Sequence, residues 1–318
     1  MDYHQQALEI LQNKTALVIS GGGCRGYAVC GSLLRLHELG LSLKNISSVS
    51  GSSVGSIIAT AIAARGSIYY INEKMSKLNL KDLENHTCII SEAFNLLKNY
   101  GLHKTTGIND LMTEVLTELT GNADITFKEL FDRTNIHLTI TYLSLNYKRT
   151  LYADYINEPN SIVREAVVKS SSMPLFYEAF MEGNKKDRKV SADGGVMNNY
   201  PMNIPREQGY EPSKILGLKF ISPKDIKYCE VNNYGPPKNV IEYLSTMVEI
   251  LREQAMRIHV SEKDWMLSAK INVGDILSTS FDLTQEQKDW LFKQGRDAID
   301  EHVREVENLL KEDKFNCV

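Results

Sequence analysis

A serine stands at the centre of the pentapeptide GSSVG, between Gly51 and Gly55. Ser53 is the middle residue, and the flanking glycines would permit the sharp turn on which an exposed nucleophile is presented. Residues 46–50 predict a strand before the turn, and the apolar segment 54–64 predicts a buried helix after it. This strand–turn–helix context is typical of a nucleophile elbow for acyl transfer. The alternative is a serine that only caps the helix.

A glycine-rich loop, GGGCRG, runs from Gly21 to Gly26, after the strand pattern TALVIS and before a helix pattern. It matches a dinucleotide fingerprint, but that fingerprint also needs an acidic residue about 20 positions on, and 41–46 contains none. A P-loop would need lysine and then serine or threonine where the chain has Tyr27 and Ala28. The remaining interpretations are a tight turn without a ligand, or an oxyanion hole in which successive amides converge at a helix N-terminus.

An acid at a turn is the best candidate for the base that a serine nucleophile needs. Asp193 follows a short strand pattern, and Gly194 and Gly195 after it permit a tight turn that aims the carboxylate. Only His259 and His302 follow it in the order serine, acid, histidine that is typical of α/β-hydrolases. Both lie in amphipathic helix patterns, whereas catalytic groups favour loops. The residues alone leave open a direct aspartate or a histidine as the base.

The elements that would position these groups alternate between strands and helices. Two strand–loop–helix units lie within the first 66 residues, which predicts an α/β fold with a mainly parallel sheet. Residues 67–133 are more polar and mostly helical in pattern, so we interpret them as a helical insertion. Further strands are predicted at 136–145, 150–153, 190–192, 214–221 and 268–273, and further helices at 161–171, 239–260 and about 284–312.

The domain organisation and the composition exclude several classes of protein. No proline- or serine-rich linker divides the 318 residues, so we predict one catalytic domain, 14–318, after an N-terminal extension, 1–13. The net charge of −4 argues against a nucleic-acid binder that relies on overall charge. Five scattered cysteines without a CxxC pair argue against a zinc ribbon and favour a reducing compartment. No signal peptide or membrane-spanning stretch is evident, so we expect a cytoplasmic protein with at most peripheral membrane contact. The oligomeric state stays open.

The three motifs together resemble a known family. GGGCRG, GSSVG and DGG occur in the order of the three signatures of the patatin-like phospholipase family. Residues 170–176 (SSSMPLF) resemble its serine-rich, proline-containing segment, and 193–201 (DGGVMNNYP) resemble its extended acid motif. The resemblance covers about residues 14–205. It implies a three-layer α/β/α fold with a mainly parallel central sheet.

The resemblance also implies a role for each motif residue. Ser53 would be the nucleophile and Asp193 the base, in a dyad without histidine. The implied oxyanion hole comprises the amides around Gly22, Gly23, Cys24 and Arg25. The glycines that would support the elbow and the loops are Gly21, Gly26, Gly51, Gly55, Gly194 and Gly195. The implied reaction is hydrolysis of fatty acyl esters of phospholipids or related glycerolipids, at a transient contact with a membrane or micelle, without a metal or other cofactor.

Three other functions are alternatives to this one. They are a non-catalytic lipid-binding relative, a Ser-His-Asp esterase and a nucleotide-binding α/β protein. The presence of both proposed dyad residues, Ser53 and Asp193, argues against a non-catalytic relative. A nucleotide-binding protein is disfavoured because the chain lacks the acidic residue of a dinucleotide fingerprint and the lysine of a P-loop.

Two surface features are candidates for lipid contact. One is an apolar stripe that either faces lipid or packs in the core; the other is a basic run that either contacts an anionic headgroup or forms a solvated turn. The stripe comprises Phe94, Leu96, Leu97, Tyr100 and Leu102, and the run comprises Lys185, Lys186, Arg188 and Lys189.

Overall fold

The computed structural model describes residues 2–78, 89–222 and 236–312. Its strands are β1 (Ala16–Ile19), β2 (Ser48–Gly51), β3 (Gly101–His103), β4 (His137–Ser144), β5 (Arg149–Ala153), β6 (Leu175–Tyr177), β7 (Phe180–Glu182), β8 (Lys189–Asp193), β9 (Ile215–Ile221) and β10 (Ser268–Asn272). Its helices are α1 (Tyr3–Gln12), α2 (Gly26–Glu38), α3 (Val54–Ala63), α4 (Ile68–Lys77), α5 (Ile89–Asn99), α6 (Thr106–Thr120), α7 (Phe127–Thr134), α8 (Val163–Ser171), α9 (Gly195–Asn198), α10 (Asn203–Glu207), α11 (Val240–His259), α12 (Glu262–Met266) and α13 (Gln285–Lys311).

The main sheet has the strand order β10-β9-β1-β2-β4-β8-β7, and β5 also pairs with β4. From β10 to β4 all neighbours are parallel, whereas β5, β8 and β7 join by antiparallel pairing. The prediction of a mainly parallel sheet is therefore confirmed. β1 and β9 are buried along their whole length, as expected for central parallel strands that are covered on both faces.

The carboxyl ends of β1, β2 and β4 lie at one edge of the sheet, which we call the carboxyl edge. Gly51, the last residue of β2, pairs with Ile140, and β4 continues past it to Ser144. β8 runs in the opposite direction, and its last residue, Asp193, pairs with Tyr142. Asp193 therefore lies at the same edge as the residues that follow β1 and β2. Ligands of open α/β sheets bind at this edge.

Helices cover both faces of the sheet, which confirms the three-layer α/β/α arrangement. On one face, Leu17 and Ile19 belong to the large core cluster that includes apolar residues of α2, α3 and α13. On the other face, Ala16 and Val18 pack in a smaller cluster with Tyr200. Successive side chains of a strand point to opposite faces, so β1 contributes to both clusters.

The predicted N-terminal extension and helical insertion both join the core. Residues 1–13 contain α1, whose Ala7 and Leu11 are buried in the main cluster beside α13. Residues 67–133 contain helices α4 to α7, and residues 79–88 of this range lie outside the described part. The range also contains β3, which pairs in parallel with β6 in a second, two-stranded sheet. The sequence patterns predicted neither β3 nor β6, and β3 lies within a region whose pattern is mostly helical.

Two glycines bring α2 and α13 into backbone contact. A Cβ on Gly31 would lie 1.9 Å from the carbonyl oxygen of Phe292, and a Cβ on Gly295 would lie 1.7 Å from that of Ala28. The Ser32 hydroxyl also donates to the Gly295 carbonyl at 2.8 Å. The predicted C-terminal helix therefore fixes α2, the helix that begins at the end of the glycine-rich loop.

The long helix predicted before the last strand is present as α11 and packs against α9. Several of its apolar side chains are exposed: Val240, Leu244, Met247 and Leu251. The side chain of Ile258, near the end of α11, lies outside the described part.

Candidate active site

The turn between β2 and α3 has the backbone of a nucleophile elbow. Ser53 has a φ of 53° and a ψ of −127°, a conformation that non-glycine residues adopt at functional sites when the surroundings hold it. Its N–H donates to the Ser170 hydroxyl at 2.9 Å. Ser52 is fully buried, whereas Ser53 is partly exposed. Of the two serines, only Ser53 is therefore placed to meet a substrate.

The two glycines of the elbow are required by close backbone packing. A Cβ on Gly51 would lie 2.4 Å from the carbonyl oxygen of Gly55, across the turn. A Cβ on Gly55 would lie 2.3 Å from the carbonyl oxygen of Ile19, at the end of β1. The elbow is therefore pressed against the strand that leads into the glycine-rich loop.

Gly21 places the glycine-rich loop beside Ser53. A Cβ at this position would lie 3.1 Å from the Cβ of Ser53 and 2.3 Å from Oδ1 of Asn199. The Gly21 N–H donates to the Asn199 carbonyl at 3.0 Å, and Asn199 Nδ2 donates to the Gly21 carbonyl at 2.9 Å. The loop is thus tied to the segment that follows Asp193.

The amides of the loop differ in whether they already have an acceptor. The Cys24 N–H donates to the Ser278 carbonyl at 3.1 Å, and the Arg25 N–H donates to the Gly22 carbonyl at 3.2 Å. Within the described residues, the N–H groups of Gly22 and Gly23 have no acceptor. Of the four amides expected in an oxyanion hole, those of Cys24 and Arg25 therefore hold the loop in shape, and those of Gly22 and Gly23 are the remaining candidates.

One further amide near the elbow was not selected from the sequence. The N–H of Val54, the first residue of α3, has no acceptor in the part of the chain that the structure describes. In hydrolases that contain a nucleophile elbow, the residue after the nucleophile supplies an oxyanion donor. The elbow motif GSSVG was the sequence signal that could have identified this amide.

The side chains of Cys24 and Arg25 anchor the loop to residues 276–278. Cys24 Sγ donates to the Leu277 carbonyl at 3.0 Å, and Arg25 Nε donates to the Ile276 carbonyl at 2.8 Å. Burial raises the pKa of the Cys24 thiol to about 11, so this thiol stays protonated at neutral pH and is a poor nucleophile. The Arg25 side chain thus helps to hold the loop in place through the Ile276 carbonyl.

Gly23→Ala should distort the glycine-rich loop and lower activity far more than the same substitution at another glycine with a positive φ. Gly23 has a φ of +55°, and a Cβ on it would lie 1.9 Å from the Ser278 carbonyl oxygen, so the loop must shift. Because a displaced oxyanion donor lowers rates by roughly 100-fold, we expect a loss of that order in kcat/KM, measured with a soluble ester. The control is Gly121→Ala, since Gly121 has a φ of +74° and nothing within 4 Å of its Cβ position. Equal activity of the two variants would contradict a role for the loop amides.

Asp193 ends β8 in a restrained and buried position. Its side chain is among the buried polar groups, and its N–H donates to the Ser172 carbonyl at 2.9 Å. Its Oδ1 accepts the Gly195 N–H at 2.6 Å. A Cβ on Gly194 would lie 2.3 Å from the Thr141 carbonyl oxygen, and one on Gly195 would lie 2.9 Å from Asp193 Oδ1. The two glycines therefore let the turn close and let an amide orient the carboxylate.

The elbow, the glycine-rich loop and the acid turn meet at the carboxyl edge, around Asn199. The Cβ positions of Gly21 and Gly195 lie 2.3 and 2.4 Å from Asn199 Oδ1, so this side chain fills the space between the two turns. The Thr141 hydroxyl lies 3.4 Å from the Gly51 carbonyl and 3.5 Å from that of Asn198. Asn199 lies within the extended acid motif, but the sequence indicates no role for it, because its contact with Gly21 is made across 178 residues.

Of the two histidines considered as bases, His302 does not lie at this edge. His302 is buried near Lys14 and Ser268, which precede β1 and begin β10 and so lie at the opposite edge. Burial lowers the pKa of His302 to about 3, so its ring is neutral. The side chain of His259 lies outside the described part.

No group of three His, Cys, Asp or Glu side chains within residues 2–78, 89–222 and 236–312 is placed to hold a metal ion. No helix in these ranges combines the length and the apolar character needed to cross a bilayer.

Comparison with known proteins gives consistent matches. A family model described as patatin-like phospholipase matches residues 17–205. An uncharacterized protein of Acanthamoeba polyphaga mimivirus is 26% identical to this chain, in an alignment that covers 92% of this chain and 94% of the viral protein. A triacylglycerol lipase of Schizosaccharomyces pombe is 31% identical over 61% of this chain, which spans only 42% of that lipase. The crystal structure of VipD from Legionella pneumophila shares the fold, with a TM-score of 0.60 at 17% identity, over 92% of this chain and 67% of VipD.

Proposed function

Because this chain belongs to the patatin-like phospholipase family, we propose that it is a lipid acyl hydrolase that works through a Ser53–Asp193 dyad. One observation carries the proposal: the elbow, the glycine-rich loop and the acid turn meet around Asn199 at the carboxyl edge. The similarity to a triacylglycerol lipase supports ester hydrolysis. The proposed substrates are fatty acyl esters of phospholipids or related glycerolipids, cleaved in the manner of a phospholipase A.

In the proposed first half-reaction, Ser53 Oγ attacks the acyl carbonyl while Asp193 accepts its proton. The carbonyl oxygen becomes an oxyanion, and the N–H groups of Gly22 and Gly23, free of other acceptors among the described residues, donate to it. Such preorganised donors stabilise a charge that exists only in the transition state and the intermediate. The carbonyl then re-forms, the ester C–O bond breaks, and Asp193 returns the proton to the departing alcohol.

The second half-reaction repeats these steps with water. Asp193 takes a proton from the water, whose oxygen attacks the acyl–Ser53 ester. The same amides stabilise the second oxyanion, and the proton returns to Ser53 Oγ as the fatty acid leaves. The Gly195 N–H on Asp193 Oδ1 keeps the carboxylate oriented while the carboxylate moves the proton in both half-reactions.

The experiment that tests this function combines a fluorophosphonate probe with a panel of lipids. A fluorophosphonate reacts only with an activated serine, so we expect stoichiometric labelling at Ser53. The same protein should release fatty acid from phospholipid or acylglycerol micelles, equally with and without a chelator, because the dyad needs no Lewis acid. Absence of labelling would favour a non-catalytic lipid-binding protein, and a steep loss in chelator would contradict a serine dyad.

We also propose a cytoplasmic location. Cys24 and Cys30 are free and buried, and Cys30 has its pKa raised to about 12 by burial. Unpaired thiols of this kind are typical of a reducing compartment.

A further inference from the structure

Two hairpin turns extend past Asp193 at the carboxyl edge. One turn joins β4 to β5 and the other joins β7 to β8. They lie side by side because Ser144 of β4 pairs with Ser191 of β8. Asn146 Nδ2 in the first turn donates to the carbonyl of Arg188 in the second at 2.9 Å. The Val190 N–H returns a bond to Asn146 Oδ1 at 2.7 Å. The two turns, residues 145–149 and 183–189, therefore form one surface, which we call the paired tips.

The paired tips are strongly cationic. They contain one acidic side chain, Asp187, and six basic ones, all exposed. Among the described residues, no carboxylate forms an ion pair with any of the six. The chain as a whole has a net charge of −4, so the cluster does not reflect the overall composition. The basic residues are Lys148, Arg149, Lys185, Lys186, Arg188 and Lys189.

The paired tips also expose apolar side chains among the cations. Leu145 is 48% exposed and Tyr147 is 62% exposed, and the Arg149 guanidinium lies 5.9 Å from the centre of the Tyr147 ring. Tyrosine beside lysine and arginine is typical of the interface between headgroups and acyl chains, where each side chain has an apolar body and a polar end. A nucleic acid would also complement the positive charge of the tips, but it would offer no apolar surface for Leu145 to contact.

The position of the paired tips connects them to the catalytic residues. β8 leads directly from Lys189 to Asp193, a span of roughly 13 Å at 3.3 Å per residue. A surface that contacts the tips would therefore lie in front of the carboxyl edge, where an acyl chain must enter. We propose that the paired tips dock this protein onto an anionic lipid bilayer. The proposal rests on the proposed function, which supplies the lipid substrate.

The test compares two double variants in vesicle sedimentation. Lys185→Glu with Lys186→Glu reverses two charges on the tips. Lys44→Glu with Lys214→Glu makes the same change on exposed loops that precede β2 and β9, at the opposite edge. The vesicles are phosphatidylcholine with about 30% phosphatidylserine, or phosphatidylcholine alone. A basic residue near an anionic surface strengthens binding by roughly fivefold, so the tip variant should bind the anionic vesicles at least 20-fold more weakly, and the control variant within twofold of wild type.

The wild-type protein should bind anionic vesicles in low salt, lose that binding as salt is raised, and bind neutral vesicles weakly. Equal binding by the two variants, or wild-type binding that ignores lipid charge, would overturn the proposal. So would retention of a single-stranded oligonucleotide in place of anionic vesicles.

A soluble short-chain ester separates docking from chemistry. Both double variants should hydrolyse this ester at the wild-type rate, because neither changes a residue of the proposed dyad or oxyanion hole. Charge-dependent vesicle binding by a wild-type protein that hydrolyses no ester would sustain the docking surface and reject the proposed function.

Discussion

Ser53→Ala should reduce ester hydrolysis by about 10⁵-fold or more, the order observed when a serine hydrolase loses its nucleophile. The substitution removes only Oγ, and the Ser53 N–H keeps its bond to the Ser170 hydroxyl. The elbow backbone is held by Gly51 and Gly55, so the fold should persist. The measurements are steady-state hydrolysis of a soluble ester, labelling by a fluorophosphonate, and circular dichroism.

The matched control is the neighbouring serine. Ser52 is fully buried, and its hydroxyl has no hydrogen-bond partner within the described residues, so Ser52→Ala removes no known contact. We expect this variant to keep activity within a few-fold of wild type. Labelling of Ser52 in place of Ser53, or a Ser53→Ala enzyme with more than about 1% activity, would show that the register of the elbow is wrong.

Asp193→Asn should lower kcat by about 100- to 10,000-fold, the usual effect of losing a general base. The amide has the shape of the carboxylate and can still accept the Gly195 N–H through Oδ1, but it cannot take the proton of Ser53. The fold should therefore be kept while the proton transfer is lost. The measurement is single-turnover acylation of Ser53, with circular dichroism to confirm folding.

Two histidine variants distinguish the dyad from a Ser-His-Asp triad. His302 is neutral and buried near Lys14 at the opposite edge of the sheet, so His302→Gln should affect stability and leave the rate within a few-fold. His259→Ala should also keep the rate, and the pH–rate profile should lack an essential group near the histidine value of about 6.5. A loss of about 1,000-fold in either variant, with the fold intact, would replace the dyad by a triad.

The sequence by itself determined the parts of the site that depend on local geometry. A serine between two glycines, flanked by a strand and a helix, predicts an elbow because only such a turn exposes Oγ. The positive φ of Ser53 and the tight approaches at Gly51 and Gly55 agree with that prediction. The alternation of strands and helices likewise determined the mainly parallel sheet.

Only the tertiary structure decided which loop amides have acceptors and where His302 lies. Cys24 N–H is taken by Ser278, some 250 residues along the chain, and His302 is placed at the opposite edge by the packing of α13. It also decided that β8 is antiparallel, which brings Asp193 to the carboxyl edge and joins the two hairpin turns through Asn146. These outcomes depend on strand partners and helix contacts that are distant in sequence, and local periodicity contains no information about such partners.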